Sequence, residues 1–348
     1  MNDQTTDKAH DKIPVTVLTG YLGAGKTTLL NRILSEPHGQ KYAVIVNEFG
    51  EIGIDNDLIV GADEEIFEMN NGCICCTVRG DLVRIIDGLM RRKGKFDAII
   101  VETTGLADPA PVAQTFFMDD NVGRKAKLDA VVTVADARWL QDRLKDAPEA
   151  KNQIAFADVI LLNKTDLVEP DALSEVEARI RGINPYAKLH KTERCRIALP
   201  EVLGRNAFDL DRIMEIEPEF LGGDGHHDHD HGHGHDHAHH HDGGLKHYHD
   251  EEMQSVSLKT DQPLDPDKFF PWVQELVQIE GPNILRCKGI LSFKGDDQRF
   301  VFQGVHMILD GDHQRPWQPG EKRESRIVFI GRKLPVDKIR EGFAGCAA

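Results

Sequence analysis

The feature that most constrains this chain is a short apolar run that stops at glycine. Residues 13–19 read I-P-V-T-V-L-T, and Gly20-Tyr21-Leu22-Gly23-Ala24-Gly25-Lys26-Thr27 follows at once. A β-branched run without polar alternation predicts a strand buried on both faces, as in a parallel sheet covered by helices. Glycines at 20, 23 and 25 let the backbone turn through conformations closed to other residues. Residues 26–34 then carry a helical pattern. Strand, Gly-rich turn and helix with the spacing G-x-x-x-x-G-K-[ST] make a phosphate-binding loop. Backbone N–H groups aim inward, and the helix N-terminus adds partial positive charge. Lys26 is expected to reach the β- and γ-phosphates and Thr27 to ligate Mg2+, with Gly20, Gly23, Ala24, Gly25 and Thr28 completing the cradle.

Residues 42–47, 96–102, 129–136 and 159–163 repeat the apolar pattern, with helical patterns between several of them, as at 81–92 and 171–183. That alternation predicts an α/β domain with a mostly parallel sheet, residues 13–205, behind a polar tail at 1–12. Residues 222–250 hold 12 of the 17 histidines, mixed with Gly and Asp. Nothing there can bury a core, so a disordered insert within a 206–250 linker is expected. Beyond it, strands are expected at 254–259, 284–293, 300–306 and 326–330, and helices at 266–279 and 335–343. Together they suggest a smaller α+β domain, residues 251–348.

Lys plus Arg number 42 and Asp plus Glu 58, for a net charge of −16. That balance argues against nucleic acid as the main partner, because phosphate contacts need a basic face. No stretch approaches the ~20 apolar residues of a bilayer span. The N-terminus lacks the basic and then apolar order of a signal peptide. The cytoplasm is the expected compartment, where a cysteine cluster reads as metal or redox chemistry rather than as disulfides.

Glu102 ends a strand and precedes Thr103-Thr104-Gly105, where an acid can hold Mg2+ directly or through water. Asp is the commoner residue at such a position. Gly105 could turn an N–H toward the γ-phosphate. Asn163-Lys164-Thr165-Asp166 matches N-K-x-D. Asp166 can accept the guanine N1–H and 2-amino hydrogens that adenine does not offer, which favours GTP. Asn163 can contact the base edge, and the Lys164 stem can pack on the ring. Cys73, Cys75 and Cys76, in N-G-C-I-C-C, are three of the six cysteines. Thiolates suit Zn2+ and other thiophilic metals, and three in one loop leave a site that cargo can leave again. A redox pair or buried packing are the competing readings. Cys195, Cys287 and Cys346 are isolated and read as structural, and His306 and Trp317 as packing residues.

With these elements in order, the chain resembles the CobW-type family of metal-trafficking GTPases over nearly its whole length. The likeness is carried by T-G-Y-L-G-A-G-K-T-T-L-L (19–30), N-E-F-G-E-I-G-I-D (47–55), N-G-C-I-C-C (71–76), E-T-T-G-L-A-D-P (102–109) and N-K-T-D (163–166). The histidine-rich insert, G-V-H (304–306) and R-P-W (315–317) add to it. The resemblance implies a GTPase domain followed by a CobW C-terminal domain. It implies Zn2+ or Co2+ at Cys73, Cys75 and Cys76, coupled to Mg2+ and GTP, for delivery to a client metalloprotein. A homodimer is compatible with it. Glu48, Glu51 and Asp55 occupy the switch-like segment where family members place carboxylates near the metal or Mg2+, and Glu51 joins the candidate ligand set. The loop expected to close over the base, around 192–195, stays unassigned.

The imidazoles of His226, His227, His229, His231, His233, His235 and His237, and on to His241, are largely neutral at pH 7 and available as weak ligands. A metal buffer with a regulatory nucleotide site is therefore one rival to a GTP-gated chaperone, and a cobalt chaperone in cobalamin synthesis is another. Zinc is favoured over cobalt by affinity order. Deleting residues 226–241 separates the buffer from the chaperone. A chaperone keeps stoichiometric metal binding through its cysteines, measured by competitive chelator titration, whereas a buffer loses most of its capacity.

Overall fold

The computed structural model describes residues 12–46, 66–68, 77–91, 96–205, 207 and 253–348. The first sheet contains β1 (Ile13–Thr19), β2 (Tyr42–Val46), β3 (Ile66–Glu68), β4 (Ala98–Glu102), β5 (Ala126–Asp136), β6 (Val159–Asn163) and β7 (Lys188–Thr192). Its helices are α1 (Lys26–Ser35), α2 (Thr77–Met90), α3 (Ala110–Met118), α4 (Asp120–Lys125), α5 (Leu140–Asp146), α6 (Pro148–Phe156) and α7 (Pro170–Ile183). Strand order is β3-β2-β4-β1-β5-β6-β7, and every pairing is parallel. Strands β2, β4 and β6 are buried at every position, as their unbroken apolar runs require.

Register decides where function can sit. Leu18 on β1 and Val46 on β2 both pair with Glu102 on β4. Asp136 on β5 pairs with Asn163 on β6, which pairs with Thr192 on β7. The carboxyl ends of β1, β2, β3 and β4 therefore finish level with one another, and those of β5, β6 and β7 finish together farther along, because Leu18 pairs with Val132 and β5 runs on to Asp136. The strand order reverses about β1, so the crevice beyond its carboxyl end is where such a sheet binds ligand.

The C-terminal domain contains β8 (Met253–Thr260), α8 (Pro266–Glu280), β9 (Ile284–Leu291), β10 (Gln298–Val305), β11 (Ile308–Pro316), β12 (Ser325–Arg332) and α9 (Val336–Gly345). Its strands are all antiparallel, in the order β11-β10-β9-β12-β8. One face packs on α8 and α9 around Phe269, which lies edge-on to Phe293 and Phe302 at 5.7 Å. From the other face Leu285, Ile290, Val301, Val305, Val328 and Ile330 join the core of the first domain. Burial on both faces explains why β9 is buried at all eight positions although its sheet is antiparallel.

Three strands escape the sequence pattern, β3 (I-F-E), β7 (K-L-H-K-T) and β11 (I-L-D-G-D-H-Q-R-P). All three are edge strands, paired on one side only and not bound to an unbroken apolar run. β5 also starts at Ala126 rather than 129, because Ala126 and Lys127 pair with Ile13 and Pro14. β4 starts at Ala98 rather than 96, because Asp97 is bound to Lys41 through both its backbone N–H and its carboxylate.

The two domains share a buried ion cluster. Asp158, between α6 and β6, accepts from Lys288 at 2.8 Å and from Arg286, and its second oxygen accepts the Val131 N–H at 2.8 Å. Burial pushes the Asp158 carboxyl upward, but Arg286 and Lys288 outweigh it and hold the group below the ordinary carboxylate range. Its pKa is thus lower folded than unfolded. The stabilisation is present above the unfolded value, about pH 3.9, and is lost as pH falls through the folded value. Removing the carboxylate takes one ionic partner from two buried cations. Asp158→Ala is expected to cost about 3–5 kcal/mol in denaturant unfolding, more than Lys288→Met, which leaves Arg286 paired.

Candidate nucleotide site

The phosphate loop is shaped by backbone that only glycine adopts without strain. Gly20, Gly23 and Gly25 have φ of 142°, 74° and 119°. A Cβ on Gly20 would lie 2.2 Å from the Val134 carbonyl oxygen, and one on Gly25 would lie 2.6 Å from Asn163 Nδ2. Helix α1 then begins at Lys26 with no side-chain cap and no acid in its first turn. Its leading N–H groups lack an acceptor from a capping side chain, the arrangement that receives an anion. Lys26 Nζ folds back to the Gly20 carbonyl at 2.9 Å. Thr27 is half-buried and Thr28 exposed at the same helix start.

The turn after β6 is bolted to this loop. Asn163, 2% exposed, donates from Nδ2 to the Ala24 carbonyl at 2.9 Å. Its Oδ1 accepts the Cys195 N–H at 2.8 Å and the Thr192 hydroxyl at 3.2 Å. Its amide therefore frames the site. Lys164, in left-handed backbone at φ 62°, donates to the Gly23 carbonyl at 2.8 Å and to Asp136 Oδ2 at 2.6 Å. Asp166 stands exposed in the following 3-10 turn, Thr165–Leu167.

Sequence reasoning missed two members of this frame, Asp136 and Cys195. Asp136 is the last residue of a strand recognised only by its apolar run. Cys195 sits in a run with no hydrophobic pattern, E-R-C-R, and its one available signal was position, just past the strand that follows N-K-x-D. The Cys195 Sγ donates to the Gly25 carbonyl at 3.4 Å. Burial pushes its thiol up to about 11, and those of Cys287 and Cys346 to about 12 and 11. All three are buried and packed among apolar neighbours, with their thiols protonated near neutrality.

Across β1, Glu102 is 6% exposed at the end of β4. The next residue, Thr103, donates its N–H to the Leu18 carbonyl at 2.9 Å and its hydroxyl to Thr19 Oγ1 at 2.9 Å. Gly105 presses on the phosphate loop, where a Cβ would lie 2.6 Å from Leu22 N. Gln153 of α6 donates to the carbonyls of Gly105 and Ala107 at 3.2 and 3.1 Å. Beside these segments lies a cavity of about 330 Å³ lined by Tyr21, Leu22, Asp136, Trp139, Arg143 and Gln153. The Arg143 guanidinium stacks over Tyr21, 5.3 Å from the ring centroid.

The structure thus brings Gly20, Gly23, Ala24, Gly25, Lys26, Thr27, Thr28, Glu102, Gly105, Asn163, Lys164 and Asp166 to one edge of the parallel sheet. Cys73, Cys75, Cys76, Glu48, Glu51, Asp55 and the tract from His226 to His241 lie outside the described residues. Among the described residues no group of three or more His, Cys, Asp or Glu is placed to hold a metal. No described helix is long and apolar enough to cross a membrane. His306 packs its ring 5.7 Å from that of Phe156.

Comparison with known proteins places this geometry. Residues 14–191 match the nucleotide-binding domain of the CobW/HypB/UreG family, and residues 253–347 match the cobalamin synthesis protein cobW C-terminal domain. The chain is 35% identical over 342 residues to the zinc chaperone YjiA of Escherichia coli, covering 96% of this chain and 98% of that protein. It is also 35% identical over 355 residues to zinc-regulated GTPase metalloprotein activator 1 of Schizosaccharomyces pombe, covering 94% and 84%. The crystal structure of the Zn(II)-bound YjiA GTPase from E. coli superposes with a TM-score of 0.73 at 30% identity, covering 97% of this chain and 99% of that one.

Gly25 and Gly23 provide a test of the frame. Both have positive φ, but a Cβ on Gly23 meets nothing within 4 Å, whereas one on Gly25 strikes Asn163. Gly25→Ala is expected to weaken guanine-nucleotide binding by about five- to 150-fold, from ~1–3 kcal/mol of strain, and Gly23→Ala by less. Titration with a fluorescent GTP analogue measures both.

Proposed function

The chain belongs to the CobW/HypB/UreG family of nucleotide-binding proteins with a CobW C-terminal domain, and on that premise we propose that it is a GTP-dependent zinc chaperone. It hydrolyses GTP to GDP and phosphate, binds zinc through Cys73, Cys75 and Cys76, and passes the metal to a client protein. The observation that carries the reading is the frame itself. Asn163 and Lys164 tie the turn bearing Asp166 to the carbonyls of Ala24 and Gly23, so the base-reading and phosphate-reading segments form one rigid receptor. The names of the two relatives, a zinc chaperone and a zinc-regulated GTPase activator, support zinc as the cargo.

In this reading residues 13–205 are the GTPase domain, 206–250 a linker with a metal-capturing histidine insert, and 251–348 the C-terminal domain. Lys26 and the N-terminus of α1 take the charge of the β- and γ-phosphates. Asp166 selects guanine by accepting from N1–H and the 2-amino group. The donor set suits Mg2+, a hard cation that takes oxygen ligands: the Thr27 hydroxyl opens α1, and Glu102 is a nearly buried carboxylate on the adjoining strand end. Bound there, the ion neutralises charge on the triphosphate. Gly105 directs a backbone N–H toward the γ-phosphate, in a loop held by Gln153. Asn163 and Lys164 act by fixing the loop that binds the phosphates.

The metal ligands and the nucleotide loops alternate along one domain, with Cys73–Cys76 between β2 and β4 in the chain. Occupancy of the cysteines and of the triphosphate pocket is therefore coupled, and the coupling is reciprocal. Cobalt shares the ligand preferences of zinc and is the second candidate, which affinity order places below it. A competitive metal titration with and without Mg2+–GTP tests the proposal. Zinc is expected to bind about 5–150-fold more tightly in the presence of Mg2+–GTP, with the same factor appearing in GTP affinity when zinc is present. Cys75→Ala abolishes both effects. Equal zinc affinity in the two conditions sinks the coupling.

A further inference from the structure

Arg332, the last residue of β12, belongs to the C-terminal domain but reaches the first. Its Nη2 donates to Asn152 Oδ1 at 2.6 Å, and Asn152 Nδ2 donates onward to Asp108 Oδ2 at 2.7 Å. The other oxygen of Asp108 accepts the Ala110 N–H at 2.9 Å and so holds the start of α3. Cation, amide and carboxylate form a chain in which each bond polarises the next. Asn152 is 5% exposed, so water competes weakly for its amide. Among the described residues Arg332 makes no ion pair of its own. Its charge is spent on orienting an amide that holds a carboxylate on the far side.

What that carboxylate controls follows from its place in the chain. Asp108 closes the loop that opens directly after Glu102. The neighbour of Asn152 on α6, Gln153, is 1% exposed and grips Gly105 and Ala107 in the same loop. Two consecutive residues of one helix thus hold the loop at its middle and at its end. Gly105 has no room to move toward the phosphate loop, because Leu22 already lies against it. A displacement of Asp108 is therefore felt where the γ-phosphate is to be bound. Helix α6 is held in turn by the C-terminal domain, since Arg286 donates to the Phe156 carbonyl and the His306 ring packs on that of Phe156.

We propose that Arg332 is a positioning residue for GTP hydrolysis: through Asn152 it fixes Asp108, and with it the loop after Glu102, from the C-terminal domain and without touching nucleotide. The inference rests on the GTPase reading above. A client that draws the C-terminal sheet away from α6 loosens this loop, and the nucleotide state is felt at the domain interface in return.

The test measures kcat and KM for GTP on the full chain with Mg2+. Arg332→Met is expected to lower kcat by about three- to thirtyfold with KM changed less than about twofold, because the chain adjusts a loop rather than the bulk of the binding surface. Arg332→Lys restores most of the loss. Asp108→Asn gives a similar loss, and the double variant Arg332→Met/Asp108→Asn is no slower than the slower single variant. Lys288→Met, at the same interface but bonded to Asp158, leaves kcat unchanged. Should Arg332→Met not fold, as judged by circular dichroism, Arg332→Gln keeps one amide donor and makes the same comparison. Wild-type kcat in the Arg332 variants, multiplying losses in the double variant, or an equal loss in Lys288→Met overturns the inference alone. A wild-type chain that hydrolyses no GTP overturns the GTPase reading and this inference with it.

Discussion

The side-chain amide of Asn163 joins three segments that are distant in sequence. It donates to the phosphate loop at Ala24 and accepts from Thr192 and Cys195 on the next strand and its following turn. An amide has two donors and two acceptor lone pairs, and three of these four positions are filled here. In a site that is nearly dry, leaving any of them unmade carries the full desolvation cost of a buried polar group. The geometry of the loop, the base-reading turn and the 192–195 segment is therefore fixed as one unit. Lys164 adds a second tie from the next residue, to Gly23 and to Asp136. A receptor assembled this way spends little on ordering itself when ligand arrives.

At the domain interface charge is buried as well. Asp158 faces both Arg286 and Lys288. Such clusters are weak sources of stability, because desolvation takes back much of the attraction. Their effect is on register. The C-terminal sheet can dock in the position that satisfies Asp158, and a slip leaves buried charges without partners. Apolar contacts from Leu285, Ile290 and Val328 supply the bulk of the adhesion. The ion cluster and the Arg332–Asn152–Asp108 chain supply the alignment.

The Arg332–Asn152–Asp108 chain gives the C-terminal domain a place in the machinery. The domain holds α6, and α6 holds the loop after Glu102. A chaperone must know whether its client is present before releasing cargo, and a second domain that grips a nucleotide loop through one helix is a physical route for that information.

The phosphate loop, the N-K-x-D turn and the acid at the end of β4 were legible in the sequence, because each depends on residue types at fixed spacing next to an unbroken apolar strand. The α/β alternation was legible for the same reason, since strands buried on both faces cannot conceal their hydrophobicity. Ile66–Glu68, Lys188–Thr192 and Ile308–Pro316 were not, because edge strands need no such run. Asp136, Gln153, Cys195 and Arg332 were invisible as site residues, since nothing in their neighbourhoods distinguishes them. Their roles exist only through contacts 28 to 180 residues away in the chain, which the packing of α6 and the pairing of β5, β6 and β7 create. Local spacing determined which groups can bind phosphate and guanine. Tertiary structure decided which carbonyls and amides hold those groups still, because such partners are chosen by distance in space and not by order in the chain.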